Sequence, residues 1–292
     1  MISAPGKLVL AGEYAVLEGH PGLVMAVNRR VILTPSKHLS RSKLWDAVAQ
    51  GACEPRFKID SSQLYEGQRK LGLGSSAAAA VCMAAYLAKG EIYRVAFEGH
   101  RRFSQGLGSG IDIAASYYGG LLKFQNGQAT ALKPAFDSRS LLCVFTKKSQ
   151  STRGFLMRVR DYQSREPQDY TRLMADLGAL SPAWEAIFTG TYQWHWLGEL
   201  VTANLALLKK LSEKAKIKLL TSEQEQIAEM AAQYGAYSKP SGAGGGDITL
   251  CFVSPDQRNA LATALRIRGF LPLDLDYFAP GLESPGQVKH SD

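Results

Sequence analysis

The 292-residue sequence lacks the marks of a membrane protein, a repeat protein or a low-complexity protein. No apolar run approaches the ~20 residues that a membrane-spanning helix needs. Lys7 and Glu13 interrupt any apolar stretch near the N-terminus that could act as a secretion signal. We therefore expect a globular protein that has no membrane partner and resides in the cytoplasm.

Cysteine is scarce and scattered, at Cys53, Cys82, Cys143 and Cys251. No C-x-x-C spacing occurs, which argues against a zinc site or a disulfide framework. Free thiols are typical of a reducing compartment. The sequence thus predicts four unpaired cysteines in the core of a cytoplasmic protein.

The net charge is +8, and the basic residues are spread along the chain. Their densest clusters, Arg29-Arg30, 37–43 and 209–218, are not interleaved with aromatic residues as in an RNA-binding surface. We therefore predict a solvated basic face and no nucleic-acid partner. An excess of basic residues also suits a site that binds highly charged phosphates.

A glycine turn, Gly72-Leu73-Gly74-Ser75-Ser76-Ala77, leads into an alanine-rich run that favours a helix. Glycines permit a tight turn, and Ser75 or Ser76 can cap the helix. A helix start collects free N–H groups and the positive end of the helix dipole, so this stretch is either a phosphate site or a turn before a buried helix. It matches neither the Rossmann nor the Walker motif.

Two charged residues have both a functional and a structural interpretation. Lys7 follows a Pro-Gly turn at the start of an apolar strand, where it can reach a phosphate or mark the strand edge. Asp112 lies in the first turn of a predicted helix after Ser109-Gly110, where it can act as a base or complement the helix dipole. These local patterns leave both alternatives open.

Two further loops resemble binding loops in composition. The segment 147–153 contains three cations and three hydroxyls, which suits either a second anionic group or a polar surface loop. The segment 239–247 is the second glycine-rich loop, and a clear strand follows it.

The first part of the chain has a strand-rich pattern, whereas residues 155–235 have a helical one. We place a domain boundary near residue 138, which gives domains 1–138 and 139–292. Helices and antiparallel hairpins alternate without βαβ regularity, which predicts an α+β fold. Residues 35–69 are expected to be mostly loop, and the tail after Pro272 to be coil.

Three glycine-bearing motifs, taken in order, resemble those of the GHMP kinases, the family that includes galactokinase, homoserine kinase, mevalonate kinase and phosphomevalonate kinase. The motifs are Ala4-Pro5-Gly6-Lys7 through Val16, Gly72 to Ala77, and Ser241 to Asp247. The resemblance implies a two-domain fold in which ATP and the phosphoryl acceptor bind in the cleft between the domains.

The resemblance also implies roles for individual residues. Lys7 and Asp112 become the catalytic pair. The ATP-binding residues are Lys70, Gly72, Leu73, Gly74, Ser75, Ser76 and Ala77. The acceptor-binding residues are Lys7, Lys70, Ser109, Ser149, Ser151, Thr152, Arg153, Ser241, Gly242, Ala243 and Gly244.

The resemblance implies Mg²⁺ as a cofactor beside ATP, with Ser76 as one ligand. Mevalonate kinases carry an Mg²⁺-binding glutamate within a Glu-Gly-Glu run in the helix before the catalytic aspartate. Here the run is Glu98-Gly99-His100, so Glu98 is the candidate carboxylate.

Within the family, the run from Gly244 to Asp247 and the loop from Phe145 to Thr152 resemble the bacterial phosphomevalonate kinases, in which Lys70 also recurs. The implied reaction is transfer of the γ-phosphoryl group of ATP to 5-phosphomevalonate by a monomer or homodimer. The alternatives are mevalonate kinase or another small-molecule kinase of the family. From another class, the alternative is a non-catalytic nucleotide-binding protein.

Overall fold

The computed structural model describes residues 1–87, 90–148, 152–190 and 192–285, without the side chain of Thr152. Its strands form two antiparallel sheets and a short two-stranded ribbon. The strands are β1 (Ile2–Ala11), β2 (Gly22–Leu39), β3 (Arg56–Asp60), β4 (Tyr65–Glu66), β5 (Arg69–Lys70), β6 (Leu121–Gln125), β7 (Gln128–Leu132), β8 (Leu141–Phe145), β9 (Tyr237–Pro240), β10 (Ile248–Phe252) and β11 (Leu271–Leu273). The helices are α1 (Lys43–Ala49), α2 (Ser75–Leu87), α3 (Ile92–Phe103), α4 (Ile111–Tyr118), α5 (Thr152–Arg165), α6 (Pro167–Ala179), α7 (Ser181–Thr189), α8 (Trp194–Lys214), α9 (Ser222–Ala232) and α10 (Arg258–Ile267).

The first sheet is organised around β2, which is 18 residues long and pairs with β1, β3 and β6. The turn Asn126-Gly127 joins β6 to β7, with φ values of 51° and 79° that suit a two-residue hairpin. The second sheet has the order β11-β8-β10-β9. All these pairings are antiparallel, which confirms the α+β class.

Helix α2 is buried along most of its length, and its buried residues run without a break from Ala77 to Ala84. Alanine side chains are small, so this helix can pack closely on β1 and β2 on one side and on α3 and α4 on others. This packing fixes the N-terminal end of α2 beside the start of the first sheet.

The prediction of loop for most of residues 35–69 was wrong. Strand β2 extends to Leu39, and α1 begins after Ser42, whose hydroxyl accepts a hydrogen bond from the Trp45 N–H at 3.1 Å. The Trp45 ring also packs edge-on against Phe57, at 5.0 Å between centroids. Because α1 is so short, its sequence shows no periodic hydrophobic pattern from which this tertiary contact could be predicted.

The tail after Pro272 is not simply coil. Residues 271–273 form the edge strand β11 of the second sheet. The chain then returns to the first sheet, where Tyr277 bridges Val27 and Glu283 bridges Ser3. The division at residue 138 remains a prediction, and the returning segment contacts both sheets, since the Tyr277 hydroxyl donates a hydrogen bond to the Leu141 carbonyl at 3.2 Å.

The four cysteines are free, as predicted. Cys82, Cys143 and Cys251 are buried, but Cys53 is exposed, so the expectation that all four lie in the core was wrong for Cys53. Among the helices described, none is both long enough and apolar enough to cross a bilayer.

Candidate active site

A cleft of about 720 Å³ opens where the glycine-rich segments of the chain meet. Its lining comes from β1, from the first turns of α2 and α4, from the last turns of α3, and from the loop after β9. The predicted site residues that line it are Lys7, Ser76, Ser109, Asp112, Arg153, Gly242 and Ala243. The fold therefore gathers residues from all three sequence motifs into one cavity.

Lys7 and Asp112 form the ion pair of this cleft. The Lys7 Nζ atom lies 3.5 Å from Asp112 Oδ1, and the two side chains are 10% and 35% exposed. Strand β1 holds Lys7 through a hydrogen bond from its backbone N–H to the Leu73 carbonyl at 2.9 Å. Asp112 lies in the first turn of α4, directly after the left-handed Gly110 (φ 89°). Both charges thus remain within reach of a ligand in the cleft.

The loop before α2 is pressed between two charged residues. Gly72 and Gly74 have φ values of 76° and 79°, in the region that favours glycine. A Cβ on Gly72 would lie 2.6 Å from the Asp247 Cβ, and one on Gly74 would lie 2.9 Å from the Lys7 Cγ. The tight turn brings the open N–H groups of the α2 start next to the Lys7 ammonium, which is a suitable cradle for a phosphate.

Ser241, the first residue of the third glycine loop, attaches the loop to β1. The Ser241 hydroxyl accepts a hydrogen bond from the Val9 N–H at 3.1 Å and donates one to the Val9 carbonyl at 2.9 Å. Gly242 then comes close to the ammonium of Lys7, since a Cβ there would lie 3.9 Å from Nζ. The Ser241 hydroxyl is therefore engaged with β1, while Gly242 faces the cleft.

The next two residues of this loop, Ala243 and Gly244, each contact another segment of the chain. Ala243 lines the cleft, and its carbonyl accepts a hydrogen bond from the Tyr14 hydroxyl at 2.6 Å. Burial, aided by the nearby charge of Glu13, raises the pKa of Tyr14 far above its ordinary value, so this hydroxyl stays a donor. Gly244 lies away from the cleft, packed on the Leu219 carbonyl.

His100 is a functional candidate that the sequence reasoning missed. Its Nε2 atom lies 3.1 Å from the Ser76 hydroxyl, and both residues line the cleft. Burial lowers the pKa of His100, and the charge of Asp112 partly opposes this shift. The sequence signal that could have identified His100 was its position two residues after Glu98, which places it on the other side of the same helix.

The structure does not bring Glu98 to Ser76. The Glu98 carboxylate lies 3.3 Å from the Arg94 guanidinium and 3.8 Å from that of Arg102, and its side chain is 45% exposed. Residues two apart on a helix point about 200° apart, so His100 faces the cleft and Glu98 faces away from it. Glu98 thus lies outside the cleft lining, and its role as a metal ligand stays a prediction that this geometry does not support.

The other oxygen-bearing residues of the cleft are suited to hold Mg²⁺ only when a nucleotide supplies further ligands. Among the described residues there is no cluster of three or more His, Cys, Asp and Glu side chains arranged to hold a metal. Ser76 and Asp112 supply oxygen atoms to the cleft, and oxygen is the donor that Mg²⁺ prefers. Mg²⁺ is commonly bound by one or two protein groups plus substrate phosphates, and this donor set matches that arrangement.

Further cations line the same cleft, and the sequence analysis did not select them. They are Lys43, Arg101 and Arg102. Arg102 donates to the Ala47 carbonyl at 2.9 Å, which ties the end of α3 to α1. The signal for Arg101 and Arg102 was the run His100-Arg101-Arg102 at the end of a predicted helix, and Lys43 lies in the basic cluster 37–43.

The remaining predicted residues lie at the edge of the site or outside it. The Ser109 hydroxyl accepts a hydrogen bond from the Ile111 N–H at 3.3 Å. Lys70 is exposed on β5 and does not line the cleft. Ser149, Ser151 and the side chain of Thr152 lie outside the described residues, so their acceptor-binding role remains a prediction.

Two family models match parts of the chain that contain the second and third glycine-bearing motifs. The family model described as the GHMP kinases N terminal domain matches residues 43–120, and the one described as GHMP kinases C terminal matches residues 190–270. The mevalonate kinase of Mus musculus is 25% identical, in an alignment that covers all of this chain and 95% of that protein.

Two solved structures show the similarity of fold. A Lin0012 protein from Listeria innocua superposes with a TM-score of 0.81 and 21% identity, covering 97% of this chain and 99% of the other. Streptococcus pneumoniae phosphomevalonate kinase in complex with phosphomevalonate and AMPPNP superposes with a TM-score of 0.73 and 19% identity, covering 95% and 99%. With both family models matched in order, the chain belongs to the GHMP kinases.

Proposed function

We propose that this GHMP kinase transfers the γ-phosphoryl group of ATP to the phosphate of 5-phosphomevalonate, giving 5-diphosphomevalonate. Phosphoryl transfer depends on positioning and on neutralisation of charge more than on covalent catalysis. The cleft offers both, since a glycine loop at a helix start lies beside a lysine and an aspartate.

In this proposal the loop 72–77 and the N-terminal end of α2 hold the β- and γ-phosphates of ATP. The chemistry that Mg²⁺ would supply in this cleft is neutralisation of phosphate charge. Ser76 and Asp112 are the oxygen donors of the cleft that would hold the cation.

Lys7 would offset the charge that develops on the transferred group, and Asp112 would orient the Lys7 ammonium. The pair is separated by 3.5 Å, and neither side chain is sealed from the cleft. A phosphate acceptor is already largely ionised at neutral pH, so no strong general base is required. Asp112 would thus act by position and charge more than by removing a proton.

The observation that carries the choice of acceptor is the charge of the cleft. The lysine and arginine residues that line it are Lys7, Lys43, Arg101, Arg102 and Arg153, and the carboxylates are Glu13 and Asp112. Glu13 is already paired with Lys239. The excess of cations favours two polyanionic ligands, ATP and a phosphorylated acid, over ATP and a singly charged acid.

Mevalonate kinase is the second candidate, because the mouse protein of that name aligns over the whole chain. Supplying mevalonate and 5-phosphomevalonate in parallel to an ADP-release assay separates the two functions. We expect turnover with 5-phosphomevalonate to exceed that with mevalonate by at least about a hundredfold, since unpaired cations disfavour the wrong ligand. A preference for mevalonate would overturn the proposed acceptor, and the absence of turnover with either would favour a non-catalytic nucleotide-binding protein.

A further inference from the structure

The Ser76 hydroxyl lies in the first turn of α2 and lines the cleft, and its hydrogen-bond partner there is an imidazole. The His100 Nε2 atom is 3.1 Å from the Ser76 Oγ. An imidazole nitrogen is a poor ligand for Mg²⁺, which prefers oxygen. The histidine therefore suits a role that acts through Ser76.

His100 is held firmly enough to direct a hydroxyl. The preceding Gly99 packs against α1, where a Cβ would lie 2.7 Å from the Val48 Cγ2. The His100 ring also lies 6.1 Å from the Phe103 ring, centroid to centroid. Helix α3 and its contacts with α1 thus set the position of the imidazole independently of any ligand.

The direction of the hydrogen bond determines what Ser76 presents to the cleft. A neutral imidazole ring has one N–H and one bare nitrogen. If Nε2 is the bare nitrogen, it accepts the Ser76 proton. The lone pairs of Oγ are then left for a cation, whereas a hydroxyl without this partner is free to rotate.

We propose that His100 is a positioning residue whose Nε2 atom accepts the Ser76 hydroxyl proton and turns the Ser76 oxygen toward the divalent cation that accompanies the nucleotide. The proposal rests on the proposed function only in requiring that ATP binds with a divalent cation. It does not depend on which acceptor is phosphorylated.

The experiment measures binding of the Mn²⁺–ATP complex by electron paramagnetic resonance, with Mn²⁺ as the probe and no acceptor present. His100→Leu is expected to weaken binding about tenfold, as is typical when the partner of a metal ligand is removed. His100→Gln, whose amide oxygen can accept the same proton, is expected to remain within about twofold of the parent protein. His195→Leu, the same substitution at an exposed histidine of α8, is the matched control and should bind as the parent protein does.

A double-variant cycle with Ser76→Ala tests whether His100 acts through Ser76. We expect His100→Leu to add almost nothing once Ser76 is alanine. An equal loss in both backgrounds, or a Gln variant that binds as weakly as the Leu variant, would overturn the proposal. If His100→Leu does not fold, as judged by circular dichroism, His100→Asn replaces it, because its shorter amide ends before the Nε2 position. Failure of the parent protein to bind Mn²⁺–ATP would instead overturn the proposed function.

Discussion

Two of the lysine–carboxylate pairs in the protein, Lys7–Asp112 and Lys239–Glu13, differ in their access to solvent. Lys7 and Asp112 line the cleft and are partly exposed. Lys239 and Glu13 are completely buried, and the Lys239 ammonium also donates to the Leu10 carbonyl at 2.9 Å. Both pairs join distant parts of the chain, but only the first leaves its charges available to a ligand.

The buried pair is incompletely satisfied. The Glu13 Oε2 atom has no hydrogen-bond partner among the described residues, although Lys239 also lies over the Trp184 ring, 5.3 Å from its centroid. Burying two charges is costly, and their attraction offsets that cost only in part. We infer that Lys239 and Glu13 hold β9 against the segment after β1, whereas Lys7 and Asp112 have the role given to them in the proposed reaction. The same chemical pair thus has different roles according to its burial.

The largest effect is expected from breaking the cleft pair. Asp112→Asn or Lys7→Met should lower kcat about a thousandfold, because each removes a preorganised charge from the reacting group. ATP should still bind, and the melting temperature should change little. Steady-state kinetics, nucleotide titration and thermal unfolding measure these three quantities. Near-normal turnover in both variants would remove the pair from the mechanism.

Breaking the buried pair should affect stability first. Lys239→Met leaves the Glu13 carboxylate buried without its partner, so the free energy of unfolding should fall by about 3 kcal/mol. Adding Glu13→Gln to that variant should recover part of the loss, because the uncompensated charge is removed. Denaturant unfolding of both variants measures the effect. Loss of kcat with unchanged stability would contradict the contrast between the two pairs.

Gly74→Ala tests how closely the phosphate loop is fitted to Lys7. The left-handed φ of 79° costs an alanine about 1 kcal/mol, and its Cβ would press on the Lys7 stem. We expect a similar loss of stability together with about a tenfold fall in kcat/KM for ATP, since a small misplacement of catalytic groups is costly. Gly51→Ala is the control, because Gly51 has a φ of 81° with no atom near its Cβ position. It should lose stability without losing activity.

The smallest effect is expected at a partly exposed pair, Lys148 and Glu223. The hydrogen bond from Lys148, 2.6 Å from the Glu223 carboxylate, lowers the pKa of Glu223 to about 2. Because the pKa of Glu223 is lowered in the folded protein, its carboxylate stabilises the fold at pH values above the ordinary pKa of 4.5. This contribution is lost as the pH falls toward 2. Lys148→Met should therefore cost no more than about 1 kcal/mol at pH 7, because solvent screens this pair. Urea unfolding at several pH values should show the two proteins converging in acid.

The sequence predicted the elements whose signals are local. The Asn126-Gly127 pair, a strong hairpin signal, joins β6 to β7, and helix α4 begins after Ser109-Gly110 as expected, because both signals lie within a few residues. Strand β11 was missed. Strand β11 is only three residues long and exists through its pairing with β8, which no local pattern encodes.

The same limit applies to the site. Lys7, Ser76 and Asp112 were selected from motifs, and the structure places all three in one cleft. Glu98 was selected from the resemblance to the Glu-Gly-Glu run of mevalonate kinases, and His100 was not selected. Which of the two faces Ser76 depends on the orientation of α3 against α1, a tertiary property that the sequence does not state.

The return of the chain to the first sheet connects the two sheets a second time. The polypeptide crosses from the first sheet to the second before β8 and crosses back after β11, and Arg30 fixes the returning segment through the carbonyls of Pro280 and Gly281. Side chains of both sheets, among them Met25 and Phe252, also belong to one hydrophobic cluster. We therefore expect the two sheets to unfold together in one cooperative transition.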